Sequence, residues 1–235
     1  AGIAQATGTW LAVLDGDDAF EPDRLARCLA RAASLKADIV VDNLQVVPED
    51  GRAVQPMFPP DRFSRSSTLD LPAFIAENQS FMQGRGFGYL KPVFSAAFLR
   101  QHKLAYDPDI RIGEDYLIMA EALACGAVCG IEPTIGYLYT VRAGSISHRL
   151  KPEDVLRISA CDKKFLSRHT LSPAAMKAQQ RREFNLKEAH AFTLLVEAIK
   201  QKNLKSIFKS IAECPTALRH LWLPVKARLE RWAGC

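Results

Sequence analysis

The sequence predicts an α/β fold with a mainly parallel sheet, followed by a helical C-terminal extension. Two short apolar runs, at 10–14 and 38–42, have the length of strands buried on both faces. Between these runs, apolar residues recur at helical spacing. A strand, a helix and a second strand in this order indicate a right-handed crossover between parallel strands. From residue 152 onward, almost every segment has helical periodicity, which predicts helices over 152–168, 173–202, 203–213 and about 215–232.

The first predicted strand, Trp10 to Leu14, ends in a cluster of carboxylates at Asp15, Asp17 and Asp18. Pro22 follows shortly afterwards and suits the first turn of the predicted helix, where a missing N–H group leaves no hydrogen bond unmade. Open α/β sheets bind their ligands at the carboxyl ends of strands. The carboxylates are therefore expected at a ligand-binding edge of the sheet.

The middle of the chain alternates polar loops with short predicted elements. Residues 48–68 are rich in Pro, Asp, Arg and Ser, which predicts a loop or lid. Glu114 and Asp115 stand directly before a helical stripe of apolar residues, so both acids are expected at a helix N-terminus. The remaining predicted elements are a helix over 71–81, a glycine-rich turn over 84–88, a strand and short helix over 91–102, and a strand over 134–142.

The composition is that of an ordinary globular protein, with 48% hydrophobic and 24% charged residues. Residues 1–150 carry 14 Lys and Arg against 18 Asp and Glu, whereas residues 151–235 carry 17 against 8. No run of about eighteen uncharged apolar residues predicts a membrane-spanning helix, and no signal peptide is evident. The six cysteines are scattered without zinc-site spacing. These observations predict a cytoplasmic protein.

The carboxylates after the first strand have a spacing that suits a divalent cation. On an extended strand, Asp15 and Asp17 would point the same way and share one ion. Oxygen ligands of this kind suit Mg²⁺ or Mn²⁺. An EF-hand loop is excluded, because Phe20 and Ala26 occupy the positions at which Gly and Glu are required. A solvated turn and helix cap remains equally open from these residues alone.

Residues 1–25, with the Asp-Gly-Asp-Asp cluster inside them, resemble the DxD segment of family 2 glycosyltransferases, which have the GT-A fold. The family carries a Glu-Asp pair at the start of a helix about 100 residues later, and Glu114-Asp115 matches it. Residues 136–148 resemble the family's closing YxYR and GSIS element, although Thr140 stands where Arg is usual. The resemblance extends to about residue 150.

The resemblance is to the bacterial exopolysaccharide or succinoglycan type, without the N-terminal nucleotide-binding strands that would precede Ala1. It implies a catalytic GT-A domain over 1–150 and a helical extension over 151–235. Arg85 and Lys91, near the glycine-rich turn, are interpreted as solvated surface residues, with contact to diphosphate or acceptor as the alternative.

Site roles follow from the same resemblance. It implies that Asp15, Asp17 and Asp18 bind the nucleotide-sugar donor, with Asp17 and Asp15 holding Mg²⁺ or Mn²⁺. It implies that Asp115 is the general base, whereas Glu114 orients the acceptor or its loop. The implied reaction is inverting transfer of a hexose, with UDP-glucose as the proposed donor, to a lipid-linked or growing polysaccharide. The alternative is a truncated, non-catalytic remnant that associates with a membrane or a partner.

The basic C-terminal end predicts a last helix over about 215–232, with Trp222 and Trp232 close to one face. Basic amphipathic helices with tryptophans are typical of anionic membrane surfaces. A helix packed on the catalytic domain, with a solvated basic side, is equally compatible with the pattern. In the first case the protein would lie on the inner face of the plasma membrane. Nucleic acid is not predicted as a partner, because no binding module accompanies the charge.

Overall fold

The computed structural model describes residues 2–64, 66–81, 85–108, 110, 112–141 and 151–222. The N-terminal half contains helices and short strands in alternation: α1 (Gly2–Gln5), β1 (Trp10–Ala12), β2 (Ala19–Phe20), α2 (Arg24–Leu35), β3 (Ile39–Pro48), β4 (Gln55–Pro56), α3 (Pro60–Ser64), β5 (Thr68–Leu69), α4 (Leu71–Ala76), β6 (Val93–Ser95) and α5 (Ala96–Gln101). In the described part of the C-terminal half lie one strand and four α-helices: α6 (Glu114–Ala124), β7 (Cys129–Val141), α7 (Pro152–Arg168), α8 (Pro173–Lys200) and α9 (Leu204–Glu213).

The strands of the described chain form one mixed sheet, in which β1, β6, β3, β7 and β2 lie side by side. Strands β3 and β7 are parallel, from Ile39 opposite Cys129 to Pro48 opposite Val141. The other pairings are antiparallel. The α/β class with C-terminal helices is confirmed, but the sheet is mixed rather than mainly parallel. Strands β1 and β3 run in the same direction, as predicted, and β6 separates them because it pairs antiparallel with both.

The core lies between the sheet and α6. Strand β3 is buried from Ile39 to Leu44, as its continuous β-branched run requires. Helix α6 is buried from Tyr116 to Leu123 on every face, because it packs inside the protein rather than on its surface. This buried stretch includes one acid, Glu121, whose carboxylate pairs with Arg168 of α7, and the surrounding elements set the position of the helix.

The helices after residue 151 agree closely with the predicted boundaries. Helix α7 spans the predicted 152–168 and has Pro152 in its first turn. Ser172 caps α8 by accepting a hydrogen bond from the Ala175 N–H group, and Asn203 caps α9 in the same way. The helix predicted over 215–232 is a 3₁₀ helix from Pro215 to Leu221, and residues 223–235 lie outside the described residues.

Three further sequence predictions concern a membrane-spanning helix, the GSIS segment and the lid region. Within these ranges, no helix is both long and apolar enough to cross a bilayer. The GSIS part of the predicted closing element falls in 142–150, which lies outside them. The predicted lid region 48–68 contains β4, α3 and β5, and these short elements pair with or pack near the longer strands.

Candidate active site

The register of β1 and β6 brings Asp15 and Lys91 together. The two strands are antiparallel, with Ala12 opposite Val93. Asp15 lies just beyond Ala12, and Lys91 lies just before Val93, so both residues leave the ladder at the same end. The Lys91 Nζ atom is 2.9 Å from Asp15 Oδ2.

The same lysine reaches the start of α6. Lys91 Nζ donates to Asp115 Oδ2 at 2.7 Å, and the Tyr106 hydroxyl donates to Asp115 Oδ1 at 3.0 Å. Gly113, with φ of 91°, supplies the left-handed turn from which α6 begins at Glu114. The Asp115 carboxylate thus lies at the positive end of the helix dipole. The structure therefore brings Asp15 and Asp115 to one cluster, with the Lys91 ammonium between them.

Burial and charge act in opposite directions on the cluster. The side chain of Lys91 is 8% exposed, that of Asp115 is 18% and that of Asp15 is 45%. Burial works against the charged ammonium, but the Asp115 and Asp15 carboxylates outweigh it and raise the pKa of Lys91 above its usual value. Burial and the Asp115 charge raise the pKa of Tyr106. Lys91 is thus a fixed cation, and Tyr106 is a hydrogen-bond donor to Asp115.

The carboxylate cluster after β1 forms a turn rather than a continuing strand. Strand β1 ends at Ala12, and the Asp18 N–H group donates to the Asp15 carbonyl at 3.1 Å. The argument that Asp15 and Asp17 point the same way on an extended strand therefore does not hold for this backbone. Asp17 lies in the turn with its side chain exposed.

Asp18 stabilises this turn from inside. Its Oδ2 accepts a hydrogen bond from the Tyr137 hydroxyl at 2.8 Å, and its Oδ1 accepts one from the Thr140 N–H group at 2.7 Å. The Tyr137 oxygen in turn accepts the Asp15 N–H group at 3.1 Å. Burial raises the pKa of Asp18, and the hydrogen bonds from Thr140 and Tyr137 partly offset this. Both oxygens of Asp18 are thus engaged by β7, which suits a supporting role.

A buried ion pair lies beneath the cluster. The Arg24 guanidinium donates to both Asp42 oxygens at 2.8 Å and to the Lys91 carbonyl, and Arg24 is fully buried. Asp42 lies at the register shift between β3 and β7, where an irregular strand redirects side chains. A Cβ atom on Gly136 would lie 2.2 Å from Asp42 Oδ2, so only glycine fits there. The hydrogen bond from Arg24 to the Lys91 carbonyl fixes the backbone at Lys91.

Glu114 occupies a different environment from its neighbour Asp115. Burial raises the pKa of Glu114, and its Oε2 atom is buried without a hydrogen-bond partner in the described part of the protein. The Lys91 and Asp15 charges also act on the pKa of Glu114, but no hydrogen bond or ion pair among the described residues joins Glu114 to either of them. The acceptor-orienting role of Glu114 therefore stays a prediction.

The donor chemistry of the cluster suits a hard divalent cation. Asp17 is exposed in the turn, whereas Asp15 and Asp18 are half-buried, so Asp17 is the most accessible of the three to a solvated ion. Mg²⁺ commonly keeps several waters and uses one or two carboxylates plus substrate phosphates. Among the described residues, no group of three or more His, Cys, Asp or Glu side chains forms a metal site. One or two carboxylates fit Mg²⁺ or Mn²⁺ only together with a phosphate ligand.

Sequence reasoning missed the central role of Lys91. A solvated surface position was the favoured interpretation, whereas the side chain is buried between two carboxylates. The usable signal was a single lysine within the apolar stretch from Leu90 to Phe94. Arg85 lies 5.4 Å from the ring centres of both Tyr89 and Tyr139, which places it on an aromatic surface near the site.

Two sets of relatives are similar in sequence. The pattern of the family described as "Glycosyl transferase family 2" matches residues 1–98. The succinoglycan biosynthesis protein ExoO of Rhizobium meliloti is 46% identical over 234 residues, which cover 100% of this chain and 67% of ExoO. The succinoglycan biosynthesis protein ExoU of the same organism is 32% identical over 219 residues, covering 92% of this chain and 63% of ExoU.

Solved structures share the fold at low sequence identity. The crystal structure of S. aureus TarS 1–349 in complex with UDP-GlcNAc aligns with a TM-score of 0.55 and 15% identity, covering 89% of this chain and 57% of that chain. The structure of TarS 1–349 without a named ligand gives a TM-score of 0.52 at 16% identity, with 92% and 56% covered. The chain thus spans 67% of ExoO, 63% of ExoU and 56–57% of the two TarS 1–349 structures.

Proposed function

The chain belongs to glycosyl transferase family 2, and we propose that it transfers a hexose from a nucleotide sugar to a lipid-linked or growing polysaccharide, with inversion at the anomeric carbon. The proposed donor is UDP-glucose. The observation that carries the proposal is the cluster in which Lys91 joins Asp15 to Asp115. The names of the Rhizobium relatives support a succinoglycan-type product, and the UDP-GlcNAc complex of TarS supports a nucleotide-sugar donor.

Asp115 is the proposed general base. An acceptor hydroxyl group becomes a better nucleophile as a carboxylate takes its proton. Lys91 and Tyr106 each donate to one oxygen of Asp115, which fixes the orientation of the carboxylate. An ionised carboxyl group has about four lone-pair sites, so two remain to accept the acceptor's proton. Glu114, the next residue, is proposed to orient the acceptor.

The exposed turn after β1 is the proposed donor site. Asp17 and Asp15 are proposed to hold Mg²⁺ or Mn²⁺ together with the donor diphosphate, and Asp18 to keep the turn in shape. When bound, the ion would offset the negative charge of the leaving diphosphate. Lys91 supplies a second positive charge at the same edge and holds Asp15 in place. Residues 1–150 are proposed to form the catalytic part and 151–235 a helical extension.

The first prediction is that UDP protects the chain only when Mn²⁺ or Mg²⁺ is present. A ligand that binds the folded state alone stabilises it by about 2.7 kcal/mol at 100 times its Kd. UDP plus Mn²⁺ is therefore expected to raise the melting temperature, whereas either alone is expected to have little effect. The measurement is thermal unfolding followed by fluorescence, with Asp17→Asn as the variant that loses the response.

The matched control is Asp61→Asn, which removes an exposed carboxylate on α3, away from the turn. It is expected to keep the full metal-dependent response. Equal melting temperatures with and without UDP and Mn²⁺ would support the alternative of a non-catalytic remnant. Hydrolysis or transfer of UDP-glucose by the same preparation would establish the activity directly.

The proposed inner-membrane location rests on α9 and the segment after it. Leu204 and Phe208 lie one helical turn apart and are 69% and 70% exposed, and Trp222 is 53% exposed. Lys205 and Lys209 lie beside them on α9. Exposed apolar side chains flanked by lysines suit the headgroup region of an anionic bilayer. Each basic residue near such a surface contributes about 1 kcal/mol.

The second prediction is that the chain sediments with phosphatidylglycerol vesicles at low salt and less so at high salt. Leu204→Ser combined with Phe208→Ser is expected to abolish sedimentation, because the apolar contribution is lost while the lysines remain. The matched control is Leu156→Ser with Phe184→Ser, which removes a leucine and a phenylalanine that are 54% and 51% exposed on α7 and α8. Equal sedimentation of both double variants would show that α9 does not bind the membrane.

A further inference from the structure

Arg182 on α8 is a buried cation at the junction of three helices. Its side chain is 8% exposed, and Nε donates to Asp162 Oδ2 on α7 at 2.8 Å. Gln179 donates to the same oxygen at 3.0 Å. An arginine fixed by a carboxylate has a rigid guanidinium plane whose other donors point in set directions. One contact of this guanidinium reaches α6, which carries Asp115, and another reaches Asn78, which contacts the segment before Lys91.

The first of these contacts reaches the start of α6. The Arg182 Cζ atom lies 3.7 Å from the centre of the Tyr116 ring, a cation–π distance. The Tyr116 ring also stacks on the ring of Phe74 on α4, with ring centres 5.2 Å apart. Tyr116 follows Asp115 directly in the chain. Because its ring is held between α4 and α8, the first turn of α6 cannot shift without breaking these contacts.

The second contact reaches the segment that leads to Lys91. Arg182 Nη1 donates to the Asn78 carbonyl at 2.7 Å, just after α4. The Asn78 side chain accepts the Gly88 N–H group. A Cβ atom on Gly86 or Gly88 would lie 2.9 or 3.0 Å from Asn78 Oδ1, so the segment approaches Asn78 as closely as glycine permits. Lys91 lies three residues after Gly88, and its position depends on this contact.

We propose that Arg182 is a positioning residue for the transfer reaction. From its place on α8, it sets the distance between the Lys91 ammonium and the Asp115 carboxylate. The inference rests on the proposed function, since Asp115 is taken as the general base. Arg182 does not touch the site itself. It acts through Tyr116 on one side and through Asn78 on the other. Helices α7 and α8 thereby support the geometry of the active site from outside it.

A positioning role and a purely stabilising role predict different effects on the kinetic constants when the residue is replaced. A displacement of about 1 Å at a reacting group can cost about 10²-fold in rate, even when the altered residue is remote from the chemistry. Donor binding at the turn after β1 depends on this network only through Lys91, which pairs with Asp15, whereas Asp115 depends on both routes. Loss of Arg182 should therefore lower kcat by a larger factor than it raises the donor KM.

The test compares two paired substitutions in the full chain. Arg182→Met is combined with Asp162→Asn, so that no buried carboxylate is left unpaired. The matched control combines Arg168→Met with Glu121→Gln, because this pair also joins α7 to α6, with Arg168 Nη1 2.8 Å from Glu121 Oε1. Hydrogen exchange is followed by mass spectrometry in peptides covering 86–92 and 113–117, and transfer kinetics are measured where the wild type is active.

The first pair is expected to speed exchange in both peptides and to lower kcat by about 10- to 100-fold, with a smaller factor of increase in donor KM. The control pair is expected to leave both peptides and kcat near wild type. Unchanged exchange in both peptides, or the same change in the control, would overturn the proposal. An inactive wild type would count against the proposed function alone, because the exchange measurement still decides the positioning role.

A single substitution keeps the test decisive if the first pair does not fold. Tyr116→Leu removes the ring under Arg182 and leaves the contacts of Arg182 with Asp162 and Asn78 in place. It is expected to speed exchange in 113–117 and not in 86–92. Tyr116→Phe keeps the ring and is expected to behave as wild type, since the Tyr116 hydroxyl has no hydrogen-bond partner in the described chain. Equal exchange in Tyr116→Leu and wild type would contradict the proposed route to Asp115.

Discussion

Replacing Asp115 by asparagine is expected to reduce sugar transfer by about 10²- to 10⁴-fold, the usual contribution of a general base. Asparagine has nearly the same shape, its side-chain oxygen can still accept a hydrogen bond from Lys91, and Asp15 still pairs with that lysine, so the fold should persist. It cannot take a proton from the acceptor hydroxyl. The measurement is kcat and KM for the donor with a polysaccharide-derived acceptor, and KM for the donor is expected to change little.

Two companion variants separate the base from its surroundings. Asp17→Asn is expected to lose both transfer and metal-dependent binding of UDP, because it removes the proposed metal ligand in the turn. Glu114→Gln is expected to weaken use of the acceptor while leaving donor binding intact. Near-normal turnover by Asp115→Asn would remove this residue from the proposed mechanism and leave the Lys91 cluster with a structural role.

The sequence predicted those parts of the fold and of the site that are set by local signals. Pro152 in a first turn and Ser172 as a cap determine helix starts through the neighbouring backbone alone, and the predicted boundaries of α7 and α8 match closely. The start of α6 at Glu114 also follows from local pattern, with Gly113 before it and an apolar stripe after it. Such signals act within one helical turn.

The parts that were missed depend on residues distant in the chain. Strand β6 inserts between β1 and β3, and no local pattern in β1 records that neighbour. Lys91 looks like an ordinary surface lysine until the register of β1 and β6 places it beside Asp15 and α6 places Asp115 on its other side. Burial of the charged Lys91 ammonium is costly unless carboxylates pair with it. Only the assembled fold brings Asp15 and Asp115 to this lysine.

The buried pair beneath the site leads to the largest expected change in stability. Arg24 is fully buried and Asp42 is 1% exposed, so Asp42→Ala would leave a guanidinium charge without its carboxylate. Breaking a buried pair in this way costs about 3–5 kcal/mol in the free energy of unfolding. The Phe20 and Tyr137 rings, 4.4 and 5.1 Å from the guanidinium, offset only part of that loss. Denaturant titration measures the change directly.

Two controls decide whether the unpaired charge is the cause. Asp50→Ala breaks an exposed pair with Arg52, whose side chain is 70% exposed, and no measurable change in stability is expected because solvent screens that pair. Asp42→Leu combined with Arg24→Met removes both buried charges and is expected to be more stable than Asp42→Ala alone, since apolar pairs of similar volume replace buried ion pairs at little cost. Arg24 also donates to the Lys91 carbonyl, so the double variant should still lose transfer although it folds. A double variant no more stable than Asp42→Ala would show that packing at Gly136, and not the uncompensated charge, sets the stability of this region.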